Sequence, residues 1–244
     1  MDEYNILYED REILVCRKPA GLPVQSSHMG TKDLESILNL HLKETGCKER
    51  IRLIHRLDQP VEGILVFAKT KRAAAGLNRQ IQENQMQKTY LAVCCIQEAE
   101  KMPGSLEEDS VRLTHSLLKD AKTNASRIVP EGTKGAKRAE LFCRKLGEYV
   151  LVQDKRLALV EIRLITGRHH QIRVQMAGIG MPLYGDRKYN PQWETWAKAA
   201  GEAAENASLA LCAAGLNFMH PVTDKKMEFS INPSGKIFQI LQKI

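Results

Sequence analysis

Short apolar runs separated by charged residues open the chain. In ILYEDREILVCRKPAGLPVQ two such runs flank a charged turn, and Pro19, Gly21 and Pro23 follow, which predicts a hairpin leaving in an extended segment. The period then changes. In DLESILNLHLKETGC, Leu34, Ile37, Leu38 and Leu42 recur at helical spacing, between a capping Asp33 and a stop at Gly46. GILVFAK has the short, apolar, partly β-branched character of a buried strand, and KRAAAGLNRQIQENQ sets Ala74, Leu77 and Ile81 on one helical face. QKTYLAVCCI, ELFCRKL and ALVEIRLI read as strands. In the last of these Val160, Ile162 and Leu164 alternate with Glu161 and Arg163. HHQIRVQMAG reads as a short helix ended by Gly178, and NPQWETWAKAAGEAAEN as a helix by composition. LALCAAGLNFMHP returns to strands, and Ile237, Ile240, Leu241 and Ile244 make a terminal amphipathic helix.

The 244 residues allow one large domain or two small ones. Segment 98–110, EAEKMPGSLEEDS, is the most loop-like interruption, but it is short, and no repeat or low-complexity linker divides the chain. The expectation is a single α+β domain, residues 1–244, on a mixed, mostly antiparallel central sheet flanked by helices and loops. Lys plus Arg exceed Asp plus Glu by 36 to 29, a net charge of +7 that favours a polyanionic partner such as nucleic acid; a basic enzyme without such a partner has the same balance. No apolar run reaches the roughly 18 residues of a spanning helix, and the start MDEYNILYED is acidic where a targeting peptide is basic. A cytoplasmic protein without a membrane partner is expected. The six cysteines form no C-x-x-C pair and read as reduced packing residues.

Three islands carry candidate chemistry. In IHRLDQPVEGILVFAKT, Asp58 precedes a buried strand, where an Asp is usually a turn residue or a cap. His55 and Arg56 supply donors beside it, the arrangement expected where a carboxylate must stay ionised in a partly buried place. In QKTYLAV, Lys88 and Tyr90 share one face of a strand, a cation beside a ring that can stack on a base while the ammonium meets a phosphate. The plainer reading of Tyr90 is a half-buried sheet residue. In LITGRHHQIRVQMA, Arg168 is placed near a helix amino end, where cation and dipole repel, so a carboxylate from elsewhere should compensate, and Asp58 is the candidate. The neighbours His169 and His170 diverge on a helix and no third ligand has suitable spacing, so no metal is expected; His170 packs or hydrogen-bonds beneath the site.

Together these islands resemble the RluA-type RNA pseudouridine synthases. HRLDQPVEGILVFAKT is similar to the family's H-R-L-D motif, QKTYLAV to its Lys-x-Tyr strand, and LITGRHHQIRVQMAGIGMPLYGDRKY to its T-G-R-x-H-Q-I-R-V motif with the downstream G-D-x-K-Y. HSLLKDAKTN, GAKRAELFCRKL and LALCAAGLNFMHPVTDKKMEFS extend the match in the family's order over nearly the whole chain. The resemblance implies the pseudouridine synthase catalytic fold with an active-site cleft, and an S4 RNA-binding module ahead of it is expected to be absent. It implies that Asp58 is the catalytic aspartate, that Tyr90 contacts the target base, that Arg168 pairs with the aspartate, and that Arg56, His55, Lys88 and His170 serve RNA or substrate binding. Glu62 stands where the family usually has Ser or a similar small residue, and this change is expected to alter RNA contacts more than chemistry.

The implied reaction converts uridines of structured RNA, ribosomal or transfer, to pseudouridine without cofactor or metal, by a chain expected to act as a monomer. Two rivals remain: an RNA-binding protein that kept the fold and lost turnover, and a hydrolase pairing Asp58 with Glu62. Between Arg50 and Tyr90, eight Lys or Arg stand against three Asp or Glu, and Lys134, Lys137, Arg138, Arg144 and Lys145 form a second basic cluster that extends a phosphate track or guards a sheet edge.

Overall fold

The charged turn after the first apolar run closes on Asp10, whose Oδ1 accepts from the backbone N–H groups of Glu12 (2.7 Å) and Ile13 (2.8 Å). This makes the expected hairpin. The computed structural model describes residues 4–26, 30–97, 106, 110–152, 155–201, 204 and 207–241. The expected loop 98–110 therefore lies outside the described residues, apart from Leu106 and Ser110, as does Ile244. In chain order the first elements are β1 (Asn5–Glu9), β2 (Ile13–Lys18), α1 (Leu34–Glu44), β3 (Arg52–Leu53), β4 (Glu62–Ala68), α2 (Lys71–Gln82) and β5 (Gln87–Cys95). There follow β6 (Val111–Asp120), β7 (Ala125–Val129), β8 (Lys137–Val152), β9 (Lys155–Leu164), α3 (Gln171–Gly178), α4 (Trp193–Ala200), β10 (Leu211–Met219), β11 (Lys226–Ser230) and α5 (Lys236–Leu241). They are organised as two compact units, Met1–Lys88 with Cys212–Asn232, and Thr89–Leu211 with Pro233–Ile244.

In the first unit the strand order is β1-β2-β4-β10, with β11 on β10 and β3 on β4. The pairs are antiparallel except β4–β10, which is parallel and sets Glu62 opposite Cys212 and Gly63 opposite Ala213. Every residue of β4 is buried, which is why its sequence after Glu62 is a continuous apolar run rather than an alternating one. Asp33 caps α1 by accepting from Ser36 N at 2.8 Å, and Thr70 caps α2 by accepting from Ala73 N at 3.1 Å. The buried face of α2 is Ala73, Leu77 and Gln80, turned by one residue from the expected Ala74, Leu77 and Ile81. A polar residue can take that inner place because Gln80 donates to Met219 O (2.8 Å) and accepts from Met219 N (2.9 Å). The core joins Ile13 and Val15 of β2, Ile64 and Val66 of β4, Leu216 and Phe218 of β10, and α2.

In the second unit the order is β5-β9-β8-β6-β7. Strands β6, β7, β8 and β9 pair antiparallel, with Thr114 opposite Glu140 and Phe142 opposite Arg163. The β6–β7 hairpin turns at Asn124, in the left-handed conformation (φ 48°) that Asn tolerates. Val174 of α3 packs on Leu117 and Ala139. A second core gathers Val93, Leu157, Tyr184, Trp193, Trp196, Ile237 and Phe238, with the Tyr184 and Trp193 rings edge to face at 4.9 Å.

Gly63, at the amino end of β4, has φ 141°, and a Cβ there would lie 2.5 Å from Ala213 Cβ and N. Gly63→Ala is expected to cost about 2–4 kcal/mol through backbone strain and overpacking, read as a lower denaturant midpoint.

Candidate active site

Asp58 lies on the loop between β3 and β4, half-buried, in a turn closed by the Val61 N–H donating to the Asp58 carbonyl at 3.0 Å. The next residue ties this turn to the segment after β2. The Gln59 carbonyl accepts from Gly21 N (2.9 Å) and from Lys18 Nζ (3.0 Å), and Gln59 Nε2 donates to Gly21 O (3.0 Å). Lys18 is fully buried, and its ammonium donates its other bonds to Pro19 O (2.8 Å) and Leu22 O (2.7 Å). Its three protons thus meet three carbonyls. Burial pulls the amine down to about 8, while the negative charges of Asp58 and then Glu62 hold it up. The opening segment therefore holds the Asp58 turn through a buried cation, a role that the spacing of residues did not disclose; the only signal was a Lys directly before Pro-x-Gly.

Glu62 is buried at the first residue of β4, and its carboxylate accepts from Arg17 Nη2 at 2.9 Å. His55 differs from the donor expected beside Asp58. Its Nε2 accepts from Val66 N at 3.3 Å, and burial, with the Lys88 charge as a smaller effect, holds it well below the usual histidine range and neutral. Arg56 is exposed. Lys88 is half-buried at the start of β5, its amine pulled by burial to about 8.

Tyr90, Arg168 and His170 belong to the second unit. Tyr90 is buried, with 6% of its surface exposed, rather than half-buried. Around Arg168, polar side chains form a frame. Gln171 Oε1 accepts from Arg168 N (2.9 Å) and Thr166 Oγ1 (2.8 Å), its Nε2 donates to Glu140 O (3.0 Å), and Thr166 Oγ1 accepts from Glu140 N (2.8 Å). The Arg168 guanidinium is exposed, and its Nε donates to the Arg138 carbonyl at 2.9 Å, so a backbone dipole meets part of the demand that the sequence had assigned to a carboxylate. Arg168 stands two residues ahead of His170, the amino cap of α3.

His170 adopts φ 53°, and burial, followed by the Arg173 charge, lowers it to about 3. Being neutral, its Nδ1 can accept from Tyr189 Oη (2.7 Å), while that hydroxyl accepts from Ser126 N (2.8 Å). His169 stacks on His170 with ring centroids 3.7 Å apart and bridges Ser126 Oγ (2.9 Å) and Asn124 Oδ1 (3.1 Å). Below them Arg173 and Asp186 form a buried bidentate pair, both bonds 2.7 Å, and Asp186 also accepts from the N–H groups of Lys188 and Tyr189. The expected packing role of His170 thus has specific partners, and the Gly-Asp-Arg-Lys-Tyr stretch is fastened to α3.

The second basic cluster is regrouped by the sheet. Arg138 and Arg144 share one face of β8 with Phe142, whereas Lys145 is largely covered and paired with Glu148 at 2.8 Å. Arg112 and Arg163, opposite Phe142 on β6 and β9, lie 5.9 and 4.9 Å from its ring centroid. Glu140 on the same face is paired with Arg112 and Arg138, which lower its pKa, and Glu161 with Arg144. Among the described residues no three His, Cys, Asp or Glu side chains converge to hold a metal, and no helix is long and apolar enough to cross a membrane. The six cysteines are unpaired and five are buried; burial pushes Cys16 and Cys212 up to about 12.

Residues 12–178 match the family model described as RNA pseudouridylate synthase. The chain is 31% identical over 225 residues to an uncharacterized RNA pseudouridine synthase of Bacillus subtilis (strain 168), covering 91% of this chain and 66% of the relative. It is 33% identical over 230 residues to ribosomal large subunit pseudouridine synthase D of Zymomonas mobilis, covering 92% of this chain and 67% of the relative. The chain spans about two thirds of the length of these curated relatives. The solved structure of human RNA Pseudouridylate Synthase Domain Containing 4 superposes with a TM-score of 0.73 at 22% identity, over 98% of this chain and 92% of that one, which shows a shared fold.

The buried Lys18 makes a testable statement about pH. Its amine gives up its proton at about 8 in the folded chain and at 10.5 ordinarily, so between these values the unfolded chain binds more protons and the Lys18 contribution to stability rises with pH. The difference in unfolding free energy, wild type minus Lys18→Met, should grow in the wild type's favour across that window in denaturant titrations. A difference independent of pH would mean that the amine titrates normally.

Proposed function

The chain belongs to the RluA-type RNA pseudouridine synthases, and from that footing we propose that it isomerises specific uridines of structured RNA to pseudouridine, with Asp58 as the catalytic carboxylate. Relatives named ribosomal large subunit pseudouridine synthases C and D support ribosomal RNA as the substrate, ahead of transfer RNA. Such a substrate makes the cytoplasm its place of work. The observation that carries the reading is the anchoring of the Asp58 turn: a carboxylate is presented from backbone tied on both sides, beside a buried ammonium, where positional freedom is small.

The N1–C1′ bond of the target uridine breaks, the uracil turns, and C5 bonds to C1′; the C5 proton leaves and N1 gains one, so atoms and electrons balance within the nucleotide and solvent. The sugar carbon becomes electron-poor as the first bond breaks, and ionised Asp58 either stabilises that charge or adds to it as a nucleophile. Tyr90 is assigned the contact with the target base, and Arg168 the guanidinium role of its motif. Reaching the base requires flipping the nucleotide out of its stack, at about a few kcal/mol, and exposed Arg56 is suited to brace the vacated space. Lys88 is assigned to a phosphate; His55 and His170, neutral and bonded to the protein, support the loops that bind substrate.

The rivals lose ground on one observation. Glu62, the partner required by the hydrolase and the cue for lost turnover, is occupied by Arg17. The arginine face around Phe142 supplies the phosphate track: Arg112, Arg138, Arg144 and Arg163 outnumber Glu140 and Glu161.

Asp58→Ala is expected to lower pseudouridine formation by about a thousandfold or more on RNA from a strain lacking the gene, read as tritium release from uracil C5 together with pseudouridine content. Near wild-type turnover by this variant would sink the assignment. Arg112→Gln with Arg163→Gln should raise KM about five- to tenfold, leave kcat unchanged, and flatten the dependence of RNA affinity on salt. An unchanged salt slope would remove this face from the RNA path.

A further inference from the structure

Consecutive basic residues of β2 reach the two ends of the Asp58 turn. Lys18 donates to the Gln59 carbonyl next to Asp58, and Arg17 holds the Glu62 carboxylate where the turn enters β4. Glu62 is 5% exposed, and its side chain keeps little contact with water. A pair in such a place is a poor source of net stability, because desolvating the charges offsets much of their attraction, whereas breaking it strands a buried charge. Its value is geometric: a planar guanidinium fixes where a carboxylate stands.

The surroundings transmit that fixing to Asp58. Glu62 is four residues from Asp58, and the intervening backbone is already folded into the turn closed by Val61 N on Asp58 O. On the far side Gly63 is wedged against Ala213, where not even a Cβ would fit. Glu62 therefore cannot shift along the strand to relieve a change at its carboxylate, and displacement falls on the turn. Cys212, opposite Glu62 across the parallel pair, is pushed up by burial and contributes no charge of its own at neutral pH.

We propose that Arg17 and Glu62 are positioning residues for the reaction, an ion pair of a half-buried guanidinium with a buried carboxylate that sets the Asp58 carboxylate from behind without touching the RNA. This rests on the reading of Asp58 as the catalytic carboxylate. It gives Glu62, expected to alter RNA contacts more than chemistry, a part in the chemistry.

The test compares Arg17→Met, Glu62→Gln and the double variant in single-turnover pseudouridine formation on RNA that the wild type modifies, with RNA Kd measured separately. Each single variant should lose about tenfold in rate, keep Kd within about twofold, and the double variant should be no slower than the slower single one, because one pair is broken once. Rates within about twofold of wild type, a loss confined to Kd, or losses that multiply in the double variant would overturn the proposal. A wild type that makes no pseudouridine overturns the underlying reading instead, before any variant is compared. Should Glu62→Gln fail to fold, Arg17→Lys takes its place: it keeps the charge and loses the fork, so its rate should fall between wild type and Arg17→Met at unchanged Kd. Equal rates for Arg, Lys and Met at position 17 would then be the negative result.

Discussion

A buried ammonium must have its protons met inside the protein, and in the first unit this demand organises everything around Asp58. Lys18 has no water to turn to, so three carbonyls from two separate stretches of chain, Pro19, Leu22 and Gln59, converge on it. Convergence on one cation is what brings the extended segment after β2 and the loop before β4 together. The energetic logic is that of a requirement: removing the cation would leave the carbonyls facing each other, and moving the loop would leave the cation unsatisfied. A carboxylate mounted on such a loop has its position decided by the fold before any substrate arrives.

The second unit solves a similar problem with neutral groups. Gln171 spans from α3 to β8 and back to Arg168, its Oε1 accepting from Thr166 and the arginine backbone while its Nε2 donates to the Glu140 carbonyl. His170 sits in a strained left-handed conformation at the head of α3, and its loss of charge lets it serve as an acceptor for Tyr189. The charged pair beneath, Arg173 and Asp186, is fully satisfied and bidentate, with Asp186 also gathering backbone N–H groups of the following turn. Charge is thus kept where it is paired, and His170, which the pattern of residues made a candidate for acid–base or metal chemistry, acts as a neutral strut.

On the open face of β6, β8 and β9 the register does the sorting. Strand alternation sends Ala139, Leu141 and Cys143 inward and leaves Arg138, Glu140, Phe142 and Arg144 on the other side. Phe142 between two guanidiniums gives Arg112 and Arg163 a common floor, and Arg112 also pairs with Glu140 on the same face. An array of this kind suits a regularly spaced polyanion better than a single acidic group.

Much of this was legible in the sequence, because it depends on contacts between near neighbours. The hairpin, the Asp33 cap on α1, the buried run of β4 and the alternation of β9 follow from local period and capping chemistry, and the motifs around Asp58, Tyr90 and Arg168 were visible as residue types at short spacing. What only the tertiary structure decided are the pairings between distant residues. Glu62 was an acid in a basic segment with no assigned partner but Asp58 until Arg17, forty-five positions away, was brought beside it. Gln80 could be buried only because Met219 offers it both a donor and an acceptor. His55 had the sequence of a charged donor and the surroundings of a neutral acceptor. A side chain's type and its neighbours in sequence determine what it can do, but its charge and its partners are set by what the fold packs against it, since burial and hydrogen bonding act through space and not along the chain.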